Sequence, residues 1–289
     1  MAGIAKDHGV VNHPVAGSKK PIQVALSGSG FLLPVHLGAL QAIEAAGYRV
    51  SALSGTSGGA IVAVLYAVHR DIPSLVNLVL DTDWQPFMNF DSWTNGWRLL
   101  TRRGICATAA LDAFLTRHTQ GQSFADLDLE LFVCATDLLR GQRTVFCRAE
   151  TPELPVAKAA RASSSLPFVY PPKRVDGRLY VDGGLTDDIP GDVLPKDSEV
   201  PSVGVYLTGE PPRLHGNEPT LFALASLSVR DLLRGQEYLD RHAAPWVRFL
   251  PVDTGNLNML DARMPRTDRE QLMELGRVGM EKLLQNLAA

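Results

Sequence analysis

Two apolar runs, each ending in a glycine turn that opens a helix, constrain this chain more than any other feature. Residues 22–26 (IQVAL) run straight into Ser27-Gly28-Ser29-Gly30. A continuous apolar run of that length bounded by a turn reads as a strand buried on both faces. Pro34 then opens a helix through about Ala46, with Leu33, Leu37 and Leu40 along one side and Gly47 as its stop. Residues 49–53 form a second strand. Ser54-Gly55-Thr56-Ser57-Gly58-Gly59 turns into a second helix, striped by Ile61, Val64, Leu65 and Val68. Two strand–turn–helix units in succession call for parallel strands joined by helical crossovers, hence an α/β fold with a mainly parallel central sheet.

The rest of the chain fits this scheme. Residues 129–135, 144–147, 178–181, 202–207 and 246–252 read as strands, and 218–242 and 266–288 as helices. Thr267 and Glu270 have capping-box spacing for the last helix, and Leu272, Leu275, Gly279, Leu283 and Leu287 make its inner face. A chain of 289 residues that is 45% hydrophobic and 20% charged buries a full core without staples. The expected organisation is a polar N-terminal tail over residues 1–20, with no signal-peptide pattern, followed by a single domain over 21–289. Residues 71–104 fit least well. They carry Trp84, Phe87, Met88, Phe90, Trp93 and Trp97 and read as an aromatic-rich, cap-like insertion that either lines an apolar site or packs onto the main domain. Cys106, Cys134 and Cys147 have no metal-ligand spacing and read as reduced, partly buried thiols. Lys and Arg number 28 against 31 Asp and Glu, so no basic excess exists to neutralise nucleic-acid phosphates. No apolar run reaches the roughly 18 residues of a membrane span.

Chemistry concentrates at the turns. Gly55-Thr56-Ser57-Gly58-Gly59 matches G-x-S-x-G where a buried strand meets a helix, the setting of a nucleophile elbow. Such a turn projects the Ser57 hydroxyl above the sheet edge, and the Gly58 N–H faces an oxyanion. Ser27-Gly28-Ser29-Gly30 is neither a dinucleotide fingerprint nor a P-loop, because Leu33 stands where the third glycine belongs and no Gly-Lys-Ser/Thr follows. What remains is a row of backbone N–H groups at a helix N-terminus, suited to a phosphate or to completing an oxyanion hole for Ser57. A serine nucleophile needs a proton acceptor. Two candidates are open: Asp182, in Val181-Asp182-Gly183-Gly184 after a short strand, and His215, in a loop that would complete a Ser–Asp–His triad.

Taken together, these pieces resemble the patatin-like phospholipase family. The resemblance rests on Leu26-Ser27-Gly28-Ser29-Gly30 with His36-Leu37-Gly38, on Gly55-Thr56-Ser57-Gly58-Gly59-Ala60, on the run from Ala160 to Phe168 (ARASSSLPF), and on Asp182-Gly183-Gly184, in that order. It implies a three-layer α/β/α fold and acyl-ester hydrolysis on lipids by a Ser–Asp dyad. Ser57 would be the nucleophile and Asp182 its base. Gly28, Ser29, Gly30 and Gly58 would supply oxyanion N–H groups, and no metal or organic cofactor would be needed. Phe31, Leu32, Leu33 and the aromatic stretch would receive acyl chains, and His36 would be structural.

One departure stands out. Leu32 and Leu33 replace a basic residue and a glycine of the family's first block. Loss of that cation fits a preference for neutral or lysolipid esters, and equally fits reduced activity. Two rivals follow: a serine esterase using His215, and a non-catalytic lipid- or acyl-binding module with a degraded oxyanion turn. The expected partners are a lipid acyl ester and, transiently, a membrane or micelle surface, for a cytoplasmic protein with weak peripheral contact.

Overall fold

The computed structural model describes residues 19–88, 106, 108–197, 199–209 and 221–288. Its centre is an eight-stranded sheet in the order β5-β6-β3-β2-β1-β7-β8, with β4 also paired to β3. The strands are β1 (Lys20–Leu26), β2 (Tyr48–Thr56), β3 (Glu130–Asp137), β4 (Gln142–Cys147), β5 (Lys173–Val175), β6 (Arg178–Asp182), β7 (Ser202–Thr208) and β8 (Val247–Asp253). β1 is parallel to β2 and β7, β2 to β3, and β7 to β8. β4 and β6 run antiparallel to β3, and β5 antiparallel to β6. The sheet is therefore mixed with a parallel core, which is the expected architecture with an antiparallel margin.

Seven helices are described: α1 (Pro34–Ala45), α2 (Gly58–His69), α3 (Ile72–Asp81), α4 (Ala109–His118), α5 (Val156–Ser163), α6 (Leu221–Ala243) and α7 (Arg266–Ala288). Alternation along the strands divides the core. Ile22, Val24, Leu26, Leu53, Val133, Val203 and Val205 face a large cluster built with α1, α2 and α7. Ala25, Ala52 and Tyr206 face a smaller one with Ile189 and Leu194. None of the described helices is long and apolar enough to cross a membrane. α3, which opens the 71–104 stretch, packs on α1, α2 and α7. Phe90, Trp93 and Trp97 lie outside the described residues, as do residues 1–18. Cys106, Cys134 and Cys147 are buried.

The last helix departs from its sequence reading in two respects. Its first turn is closed by the Pro265 carbonyl, which accepts from the amides of Asp268 and Arg269 at 3.2 Å each. Thr267 falls inside the helix, and Glu270 is drawn to Arg266 Nε at 2.7 Å, so the capping box does not form. The buried stripe runs through Leu272, Gly276, Met280 and Leu284, whereas Leu275 is exposed. The reason is backbone contact between α1 and α7. A Cβ on Gly276 would overlap the Val35 carbonyl, and one on Gly38 would overlap the Met273 carbonyl. This reciprocal approach fixes which face of α7 turns inward.

Gly276→Val therefore is expected to cost at least the about 1–3 kcal/mol of an overpacked core, because backbone rather than side chain must move. Leu275→Ala is expected to stay within about 0.5 kcal/mol. Urea unfolding of the two variants measures both.

Candidate active site

The site is a consequence of strand register. β4 occupies one edge of β3 from Phe132 to Asp137. β2 and β6 must then share the other edge. β2 ends with Thr56 opposite Cys134, and β6, running the opposite way, ends with Asp182 opposite Ala135. The two strand ends thus meet head to head against consecutive residues of β3. Ser57, the next residue after β2, donates its hydroxyl to Asp182 Oδ2 at 2.7 Å.

Ser57 has φ 52° and ψ −120°, a backbone conformation rare for any side chain other than glycine and characteristic of strain held at functional turns. Its amide donates to Ser163 Oγ at 2.8 Å, and Ser163 donates onward to the Cys134 carbonyl at 2.5 Å. The Asp182 amide donates to the Ser165 carbonyl at 3.0 Å, while Thr136 Oγ1 donates to the Asp182 carbonyl at 2.8 Å. The end of α5 is thereby wedged into the seam and holds both strand ends. Gly183 is required here, since a Cβ would overlap the Cys134 carbonyl.

Asp182 is almost wholly buried, and burial pushes its carboxyl up to about 6. The hydrogen bond from Ser57, that from the Gly184 amide at 3.0 Å and the charge of Arg161 pull the other way. Arg161 is fully buried. Its Nη1 donates to Ser165 Oγ at 2.8 Å, and its guanidinium lies 4.9 Å from the centre of the Tyr170 ring. A carboxylate near 6 is a better proton acceptor than an exposed one and is still ionised at neutral pH.

The first glycine turn abuts the second. Gly58 leaves no room for a side chain against Ser29 and Gly30. The Gly28 amide donates to the Asp188 carbonyl at 3.1 Å, so it is not available as an oxyanion donor, contrary to the sequence expectation. The Phe31 amide is likewise taken by the Met259 carbonyl at 2.8 Å. The amides of Ser29, Gly30 and Gly58 have no partner among the described residues. Gly30 has φ +54°, while Leu33 is ordinary right-handed helix, so replacing a glycine at position 33 leaves the turn unstrained. His36 is buried with Nε2 2.9 Å from the Ser27 carbonyl. Burial lowers it to about 4, so the neutral ring donates from Nε2 and ties α1 to the turn.

Ser57, Asp182, Gly30 and Gly58 open onto a cleft of about 650 Å³, part of it open to solvent. Its walls are Phe31, Leu33, Ile61, Trp84, Phe87, Met88, Leu111, Leu166, Leu233 and Met259. Trp84 packs on Phe31, Phe87 and Phe114 with ring centres 5.3–6.0 Å apart. Trp84, Phe87 and Met88 thus both line the cleft and belong to the core. Leu32, expected among the acyl-chain residues, is instead packed in the core and does not line it. His215 lies outside the described residues. Sequence reasoning assigned no role to Thr136, Arg161, Ser163, Ser165 or Asp188. Arg161, Ser163 and Ser165 carried a signal only as members of the Ala160–Phe168 block.

Comparison with known proteins bears on the family and the fold. A protein of Acanthamoeba polyphaga mimivirus, uncharacterized, is 28% identical over 176 residues, covering 58% of this chain and 59% of its own length. An uncharacterized NTE family protein of Mycobacterium bovis is 30% identical over 192 residues, 61% of this chain and 46% of the relative. The chain thus spans about half the length of these curated relatives. The crystal structure of VipD from Legionella pneumophila shares the fold, with a TM-score of 0.60 at 15% identity over 94% of this chain and 67% of that one. A family model described as Patatin-like phospholipase matches residues 24–194, which contain both glycine turns, Ser57 and Asp182. With more than half of its length so matched, the chain belongs to the patatin-like phospholipase family.

Proposed function

We propose that the protein is a lipid acyl hydrolase in which Ser57 and Asp182 act as a catalytic dyad. The observation that carries this reading is the 2.7 Å hydrogen bond from Ser57 Oγ to a buried carboxylate at the floor of an apolar cleft. Ser57 Oγ attacks the ester carbonyl as its proton passes to Asp182 Oδ2. The oxyanion is held by the amides of Ser29, Gly30 and Gly58, assisted by the N-terminal dipole of α2. Asp182 returns the proton to the departing alcohol. Water then attacks the acyl-enzyme, losing its proton to Asp182, which passes it to Ser57 Oγ as the ester bond to the serine breaks and the acid is released.

A Ser–Asp–His arrangement needs an imidazole between hydroxyl and carboxylate. The direct Ser57–Asp182 bond favours the dyad over it, and His36 is committed to the Ser27 carbonyl. The hydrolase reading is favoured over a binding module with a degraded oxyanion turn because Leu33 sits in unstrained helix and the Gly30 and Gly58 amides, at residues lining the cleft, have no protein partner among the described residues. The acyl chain fits the wall of Trp84, Phe87, Ile61 and Leu111, and transient contact with a membrane or micelle delivers it.

Ser57→Ala and Asp182→Asn are each expected to reduce turnover of p-nitrophenyl acyl esters and lysolipids by at least about 10³-fold, the scale of losing a nucleophile or its base. His215→Ala is expected to retain most activity; a loss as large as that of Ser57→Ala would reinstate the triad. The pH profile follows from Asp182. Its ionised form is the base, so kcat/KM rises with pH through about 6 and falls tenfold per unit below it. A stopped-flow or steady-state pH series on the wild type measures that limb.

A further inference from the structure

A second carboxyl shares the cleft with the dyad, and the mechanism above does not use it. Asp188 follows the Asp182 turn by six residues. Its side chain is 8% exposed, and that exposure is into the cleft that Ser57, Gly28 and Asp182 also line. Its Oδ1 lies against the Cα atoms of Gly28 and Gly184, so close that a Cβ on either would overlap it or press on it. On the Gly28 side the next neighbour is the Cβ of Ser57. The backbone of Asp188 is fixed from both sides: its carbonyl accepts from Gly28, and its amide donates to Asp240 Oδ2 at 2.6 Å. Neither carboxyl oxygen has a hydrogen-bond partner among the described residues.

The charges around it are all of one sign. Asp182 faces it from β6, Asp187 is its neighbour in the chain, and Asp240 and Glu237 face it from α6. The nearby cations are engaged elsewhere: Arg143 with Asp187 and Asp192 at 2.7 Å each, and Arg241 with Glu237 at 3.5 Å. Burial with four acidic neighbours and no cation favours the protonated form of a carboxyl, and burial together with Asp182 moves Asp188 well above the carboxylate range. The neutral acid has an O–H with no protein acceptor among the described residues, on the side of Gly28 where the Ser57 Cβ also lies.

We propose that Asp188 is a catalytic residue that acts as a neutral carboxylic acid, donating a hydrogen bond to an oxygen of the ester bound at Ser57. It supplements the backbone amides at the point where negative charge develops. The inference rests on the ester-hydrolase reading. It also has a distinct kinetic consequence. Asp182 must be ionised and Asp188 protonated, so activity rises as Asp182 loses its proton and falls again at higher pH as Asp188 loses its own. Ionised Asp188 both withdraws the donor and places a negative charge beside the oxyanion.

Wild type and Ser57→Ala are compared first; a wild type without turnover overturns the hydrolase reading and this role with it. Given turnover, Asp188→Leu is expected to lower kcat by about 10²-fold with KM little changed. Asp188→Asn keeps an N–H donor, so it is expected to lose less and to lack the alkaline fall of the wild type. An infrared difference spectrum of wild type minus Asp188→Asn at neutral pH is expected to show the carbonyl stretch of a protonated carboxyl. That measurement decides the protonation state even where the Leu variant fails to fold. Wild-type kcat in a folded Asp188→Leu protein, an alkaline fall that persists in Asp188→Asn, or a carboxylate signature in the difference spectrum each overturns the proposal while leaving the Ser57–Asp182 reading intact.

Discussion

β3 is paired on one side by β4 from Phe132 to Asp137, which leaves a single free edge there for two strands arriving from opposite directions. β2 covers the first part of that edge and β6 the last part, and they stop at Cys134 and Ala135. Hydroxyl and carboxylate come together because two strands run out of partner at adjacent residues. Register in a sheet with buried faces is strongly specified, since a one-residue slip would turn every core side chain outward. The position of Ser57 relative to Asp182 is thus fixed by the packing of Val133, Ala135 and Leu53 as much as by the site itself. Ser163, Ser165 and Thr136 then lock the seam by binding the backbone on both sides of it.

Electrostatics in this region follow from burial. Asp182 and Asp188 are both shielded from water, yet they differ in what reaches them. Asp182 accepts from Ser57 and Gly184 and feels Arg161, which keeps it ionisable near neutrality. Asp188 has only acidic neighbours. Burial raises both carboxyls, and Asp188 lacks the opposing donors and cation that hold Asp182 down; such a difference in environment is the condition under which one carboxyl acts as base and another as donor.

Much of this was legible in the sequence, and the failures have physical causes. The two strand–turn–helix units, the boundaries of α1 and α7, the G-x-S-x-G turn and the Asp182 turn all follow from local pattern, because glycine, proline and apolar period act over a few residues. Strand direction does not. A short apolar strand such as residues 178–182 reads the same whether its neighbour is parallel or antiparallel, so the antiparallel placement of β4 and β6 was not foreseen. The Gly28 amide was assigned to an oxyanion because nothing local shows that Asp188, far along the chain, will bring its carbonyl there. Thr267 and Glu270 carry the spacing of a cap, but Arg266 competes for the glutamate and Pro265 supplies the carbonyl that starts the helix. Leu275 reads as inward-facing on apolarity, yet the helix face is set by glycines that permit backbone contact.

The Gly38–Gly276 crossing has a consequence at the other end of α1. That helix begins just after the first glycine turn, and its His36 grips the Ser27 carbonyl. α7 lies entirely beyond residue 194, outside the portion of the chain that the family model matches. Because the two helix backbones touch with no side chains interposed, there is no soft layer to absorb a shift between them. α7 is in this way a rigid abutment for the helix that follows the first glycine turn, and a segment outside the matched portion bears mechanically on the turn beside Ser57.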